Sequence, residues 1–154
     1  MATESATQRV ESTSNGDWQA GAVAGIIGGV AMGALMAVRM PGVLDVAIPS
    51  MYFLAGGLAG FTVHVAHAAV LGVGFAALAA TQTPLSTGRS VGLGVAYGVV
   101  LWVVLAVLVM PIWLSAVGSP ANPPFPNVNA TSLVGHVVYG AVAGAAYPAV
   151  RERL

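Results

Sequence analysis

The sequence predicts an all-α integral membrane protein built as a four-helix bundle, and three observations support this fold class. Hydrophobic residues make up 57% of the 154 residues, charged residues make up only 6%, and the mean hydropathy is +0.86. A soluble protein carries about 25% charged residues because its surface faces water, so most of this surface must face lipid. The few charges also separate apolar stretches that can hold helices of about 20 residues, the length that crosses a bilayer.

The charge-free stretches define the helices. They cover residues 18–38, 46–88 and 90–150. The first holds one helix, and the second also holds one because Pro49 and the Thr-Gln-Thr-Pro turn at 81–84 shorten it. The third holds two, since the proline-rich segment 118–124 divides it. The predicted helices are residues 19–40, 53–80, 89–113 and 131–150.

Arginine positions predict the orientation. Residues 1–17 are polar and of mixed charge, so we expect a disordered cytoplasmic tail there, followed by a four-helix transmembrane domain over residues 18–154. With the N-terminus inside, the cytoplasmic segments hold Arg9, Arg89, Arg151 and Arg153, and only Arg39 lies outside. The positive-inside rule favours this topology. We therefore expect a multi-pass protein of the cell membrane with both termini cytoplasmic.

A weak internal repeat relates the two halves. The segment His64-Val-Ala-His67 through Gly72 aligns with His136-Val-Val-Tyr139 through Gly144 at a constant offset of 72 residues. Two copies of a two-helix hairpin have the same orientation in the membrane, so the sequence predicts two parallel repeats. The second and fourth helices then occupy equivalent positions.

Glycine spacing predicts how the helices meet. Glycines recur every four residues in the first helix, and Gly-x-x-x-Gly pairs occur in the other three (Gly21, Gly25, Gly29, Gly33; Gly56, Gly60; Gly94, Gly98; Gly140, Gly144). Small residues at this spacing allow close backbone approach between membrane helices. The sequence therefore predicts a glycine zipper. The long row in the first helix also suggests a homo-oligomer or a subunit of a membrane complex.

Histidines are the main candidates for a cofactor-binding site. His64 and His67 share one helix face because they lie three residues apart, and His136 occupies the matching depth of the fourth helix. Ionisable residues inside a membrane usually face the bundle interior or a cavity. Three interpretations stay open: hydrogen bonds between helices, a b-type haem held by His64 and His136, and a proton or ion path.

Methionine suggests a second kind of site. Met32, Met36 and Met40 form a stripe on the first helix, and thioethers are soft ligands that suit Cu(I). Methionine also fills irregular gaps in cores. No cofactor is expected from the sequence, with haem b and copper as the alternatives.

Other chemistry is excluded by composition. Cysteine is absent, which removes thiolate metal sites and cysteine nucleophiles. Asp45 is the only acid between Asp17 and Glu152, so the sequence has no carboxylate pair for acid–base catalysis. The net charge of +0 offers no basic face for nucleic acid. The sequence thus predicts a non-enzymatic packing or assembly subunit, of itself or of a larger complex in the lipid bilayer. The alternative is an intramembrane protein that handles haem, copper, protons or ions through His64, His67 and His136.

Two segments carry a resemblance to a known group. Ala47–Leu78, with its two histidines, and Leu133–Pro148, with His136 and Tyr139, resemble the small uncharacterised integral membrane proteins common in halophilic archaea. Members of that group are sometimes labelled histidine kinase. This sequence does not support such an activity, because it has no dimerisation-helix His-Glu pair and no room for an ATP-binding domain. The resemblance implies the fold and the membrane location without an established activity.

Overall fold

The computed structural model describes residues 2–82 and 85–154, and it describes side chains from Asp17 onward within these ranges. Four long helices make up the fold: α1 (Ala2–Arg39), α2 (Gly57–Ala80), α3 (Thr87–Ala116) and α4 (Ala130–Arg151). Each contains a stretch long and apolar enough to cross a membrane, which in α1 is Asp17–Arg39. The predicted all-α four-helix bundle is confirmed.

The polar tail stays a prediction. Met1 lies outside the described residues, and so do the side chains of residues 2–16, while the backbone is helical from Ala2. The parallel repeat likewise stays a prediction.

Helix ends follow from local capping. The Ser86 side chain accepts a hydrogen bond from the Arg89 backbone N–H at the start of α3. The Asn129 side chain accepts one from the Ser132 N–H at the start of α4 (3.0 Å). Such caps satisfy backbone donors that the first turn of a helix leaves without partners. These helices therefore begin close to where the sequence predicts them.

The segment between α1 and α2 differs from the predicted outer loop. It contains a π-helical turn at Val43–Ala47 and a short helix at Ile48–Ser50, which together we call the cap. Leu44 and Ile48 are buried against the bundle. This burial gives the segment a helical conformation, and α2 begins only at Gly57, after Gly56 at a φ of 90°. Hydropathy alone cannot distinguish such a cap from a loop.

Glycine contacts hold three of the helix pairs together. A Cβ at Gly25 of α1 would collide with the Ala68 carbonyl oxygen and lie 2.8 Å from the Cα of Gly72 in α2. A Cβ at Gly94 of α3 would collide with the Gly140 carbonyl oxygen in α4. Gly28 brings α1 equally close to α4. In contrast, the backbones of α2 and α3 rarely approach each other closely, and the Tyr97 side chain of α3 spans the distance to α2.

The two ends of the bundle are packed differently. At the end that holds both termini, Ala20, Ala24, Phe75 and Tyr147 form a dense cluster, and Arg151 pairs with Asp17. Toward the cap and the segment 117–129, a second buried cluster that includes Met32, Leu44 and Tyr139 lies beside a partly open cavity. The bundle thus has a solid half and a hollow half.

Candidate functional site

The hollow half of the bundle contains a large cavity that is partly open to its surroundings, since Val70 in its wall is 71% exposed. Its volume is about 880 Å³, and residues from all four helices, the cap and the segment 117–129 line it. Small-molecule sites in proteins are clefts of about 300–1,000 Å³ with mostly apolar walls and a few polar groups. This cavity has the size of such a site and walls of the same character.

All three histidines line this cavity. The structure therefore brings the three predicted site residues, His64, His67 and His136, around one space. The two helices that carry them are those whose sequences align, and in each helix the histidines lie in the half nearer the cavity mouth. Each histidine has a different hydrogen-bond partner, which determines what its ring can do.

His64 is buried and bound to α1. Its Nε2 lies 3.0 Å from the Gly29 carbonyl oxygen. A carbonyl can only accept, so Nε2 carries the proton and donates it. In the neutral ring, the lone pair then lies on Nδ1, where it can accept a hydrogen bond or coordinate a metal.

His136 is fixed in the opposite tautomer. Its Nδ1 donates to the Ser132 carbonyl oxygen, one turn earlier in α4, at 2.8 Å. The free lone pair of the neutral ring therefore lies on Nε2.

His67 forms a hydrogen bond to the residues that follow the cap. Its Nε2 lies 2.6 Å from the Tyr52 hydroxyl, and the two rings are 5.6 Å apart. Tyr52 follows the cap and is half exposed. His67 is therefore positioned near the cavity mouth, whereas His64 lies deeper between helices.

Tyr139 occupies the position of α4 that aligns with His67. It is buried, and its hydroxyl donates to the Ala68 carbonyl oxygen of α2 at 2.9 Å. Tyr97 of α3 makes a similar bond to the Leu71 carbonyl oxygen (2.8 Å). The two tyrosines thus tie α3 and α4 to α2 across the floor of the cavity.

Methionines provide the other ligands of interest. Every methionine of the described residues lines the cavity: Met32, Met36, Met40, Met51 and Met110. The predicted stripe on α1 is part of this set. Met51 and Met110 are site residues that the sequence pattern does not predict. Only the fold shows that methionines from α1, the cap and α3 meet.

Two π-helical segments border the cavity. One is the cap turn Val43–Ala47, and the other is Trp102–Val109 within α3. A π-helical turn leaves the backbone wider than an α-helix and is frequent at functional sites. One carbonyl of the second segment has a partner outside the helix, because the backbone N–H of Asn127 donates to the Val107 carbonyl oxygen at 3.0 Å. The sequence contains no local signal for these segments.

The cavity contains no formal charge. Its lining residues include no Asp, Glu, Lys or Arg. Among the described residues, no group of three or more His, Asp or Glu side chains is close enough to hold a metal ion. A ligand in this space would therefore meet neutral nitrogen, oxygen and sulfur atoms.

The fold and the cavity define a multi-pass α-helical membrane protein with a partly open cavity between its helices. Comparison with protein-family models, with curated proteins and with solved structures gives no match to the chain. The resemblance to the archaeal membrane proteins stays a prediction.

Proposed function

We propose that this multi-pass membrane protein is a non-enzymatic binding protein that holds a small ligand in its intramembrane cavity. The observation that carries the proposal is the convergence of all three histidines and every described methionine on one space. This proposal develops the alternative interpretation of the sequence, in which His64, His67 and His136 handle a cofactor or an ion.

An open cavity lowers the stability of a fold, and its presence here supports a binding role. Protein interiors are close-packed, and voids larger than a water molecule are few. Here the solid half of the bundle packs glycine backbones directly together, yet the other half leaves about 880 Å³ open. A chain that served only to pack against partners would gain stability by filling this space. The cavity therefore favours ligand binding over a purely structural role.

The glycine row of α1 was the reason to expect a homo-oligomer or a subunit of a membrane complex. Gly21, Gly25, Gly29 and Gly33 all face α2 within the same chain. The row is thus used internally, and it no longer argues for a homo-oligomer. Membership of a larger complex stays a prediction, as does the cell-membrane orientation with cytoplasmic termini. The non-enzymatic part of the proposal rests on the lack of paired carboxylates and cysteines in the sequence.

Cysteine labelling tests whether the cavity admits a ligand. The chain has no cysteine, so one introduced thiol is the only reactive site. Leu105 lines the cavity, and we expect Leu105→Cys to react with a small methanethiosulfonate reagent in mild detergent. Ala24 has an exposed fraction of 0% in the solid half, so Ala24→Cys is the matched control and should stay unlabelled. Equal labelling of both would contradict a preformed cavity.

Native mass spectrometry and absorption spectroscopy then test binding. Wild-type protein should retain a bound molecule or metal, or acquire one on incubation with membrane lipid extract or a panel of metal ions. Leu105→Cys protein blocked by a bulky thiol reagent should bind none, whereas the same variant without reagent should bind normally. A Soret band would identify haem. Wild-type protein that binds nothing under all these conditions would overturn the proposed function.

A further inference from the structure

We propose that Met32, Met36, His64 and His136 form a binding site for a soft monovalent cation, Cu(I) in the cell and Ag(I) as its analogue. The inference rests on the proposed function, because it names the ligand class of the same cavity.

The helix contacts bring these four side chains into one region. His64 of α2 binds the carbonyl oxygen of Gly29 in α1, one turn before Met32. Met32 packs against Gly135 of α4, where a Cβ would lie 3.3 Å from the Met32 Cε, and His136 is the next residue. Met36 follows Met32 on the same face of α1. Met32 therefore lies between the two histidine-bearing helices.

The two imidazoles are arranged as metal ligands commonly are. A histidine that binds a metal almost always donates its other ring N–H to a carboxylate, a backbone carbonyl or water, which fixes the tautomer and the ring orientation. His64 donates to Gly29, and His136 donates to Ser132. Each ring is thereby held with one free nitrogen.

The lack of a third His, Asp or Glu ligand limits which cations the site can bind. Since no three His, Asp or Glu side chains group together in the described part of the chain, a metal held by these histidines must take other ligands. Methionine sulfurs line the same cavity, and both Met32 and Met36 are buried in its wall. Hard cations such as Mg²⁺ and Ca²⁺ require oxygen ligands. Soft thioethers select Cu(I).

Charge favours a monovalent ion. The cavity lining has no carboxylate to neutralise a cation, and burial of an unpaired charge in an apolar medium is costly. A single positive charge costs less than a double one. A soft ion that binds neutral nitrogen and sulfur atoms therefore fits this cavity better than Zn²⁺ or another dication.

The experiment measures Cu(I) affinity of the purified full chain under anaerobic conditions, by competition with a chromophoric Cu(I) chelator. Wild-type protein should bind stoichiometric Cu(I). The double variant Met32→Leu/Met36→Leu keeps the apolar volume and removes both sulfurs, and we expect at least about tenfold weaker binding. Ile27→Leu/Val30→Leu changes two exposed residues of the same helix outside the cavity lining and should bind like wild type. Equal weakening in both variants would overturn the assignment.

X-ray absorption of Cu(I)-loaded wild-type protein provides a measurement that does not depend on any variant. The spectrum should contain both sulfur and nitrogen ligands, and a spectrum without sulfur would overturn the proposal. Native mass spectrometry of the same sample distinguishes failure of the soft-cation site from failure of the proposed binding function. An organic ligand in place of Cu(I) overturns the soft-cation site and leaves the binding function standing. Absence of both overturns the two together.

Discussion

At the scale of single residues, three polar side chains inside the membrane bond to backbone carbonyls of neighbouring helices. His64 bonds to α1, and Tyr139 and Tyr97 bond to α2. A carbonyl within a helix has a second lone pair that can accept such a bond. These residues therefore connect helices without any pairing of side chains.

Removal of the Tyr139 hydroxyl tests one such connection. Tyr139→Phe keeps the buried ring and deletes the bond to the Ala68 carbonyl oxygen. We expect a loss of about 0.6–1.7 kcal/mol in the free energy of unfolding, the range for hydrogen bonds between membrane helices. Unfolding in mixed micelles measures it. Tyr52→Phe, at a half-exposed ring, is the control and should cost less; a larger cost there would contradict this view of Tyr139.

Glycine substitutions in one helix test backbone contact. Gly94→Ala places a methyl group against the Gly140 carbonyl oxygen, and overpacking of this kind costs typically about 1–3 kcal/mol. Gly92 lies two residues away in the same helix with no atom within 4 Å of an added Cβ. Gly92→Ala should therefore be neutral, or stabilising by up to about 1 kcal/mol through helix propensity. Thermal unfolding measures both, and equal stability of the two variants would place α3 away from α4.

At the scale of elements, α3 differs from the other three long helices by its π-helical segment. The part of α3 beside the solid half is α-helical, and its π-helical part begins at Trp102, beside the cavity. Asn127 joins the segment after α3 back to this widened backbone. The irregular backbone is thus located where protein lines an internal space, which is where membrane proteins tolerate it.

The Arg151–Asp17 ion pair tests the pairing of α1 with α4 at the terminal end. Both side chains are partly exposed, and such pairs contribute about 0.2–1 kcal/mol. Arg151→Ala should lower the unfolding free energy by this amount at low salt and by less at high salt, because ions screen exposed charges. Double substitution Asp17→Arg/Arg151→Asp should restore most of the loss. An Arg151→Ala loss that does not change with salt would exclude a Coulombic contribution.

At the scale of the whole molecule, four spans place both termini at one end of the bundle and the cap and segment 117–129 at the other. The cavity lies toward the second end. The arginine distribution predicts that this second end faces outward. Ligand would then enter the cavity from the outer side of the membrane.

Thiol labelling of intact cells tests this orientation. Val128 is 70% exposed near the cavity end, and Gly88 is exposed at the terminal end. An impermeant thiol reagent should label Val128→Cys in intact cells and should label Gly88→Cys only after the cells are opened. The reverse result would invert the topology and move the cavity mouth to the cytoplasmic side.

The sequence by itself determined the four apolar helices, although α2 begins at Gly57 rather than at residue 53. Charges are costly in lipid, so the charge-free stretches predict the spans. Glycines four residues apart predict close packing, which holds for Gly60 and Gly94 but not for Gly56, where an added Cβ meets no atom within 4 Å. Only the tertiary structure decided the tautomers of His64 and His136, the cavity and the cap. Apolar side chains face lipid and interior alike in this chain, so hydropathy cannot show that α2 and α3 separate. Nor can it show that methionines from α1, the cap and α3 meet the histidines of α2 and α4, because those contacts depend on which helices become neighbours.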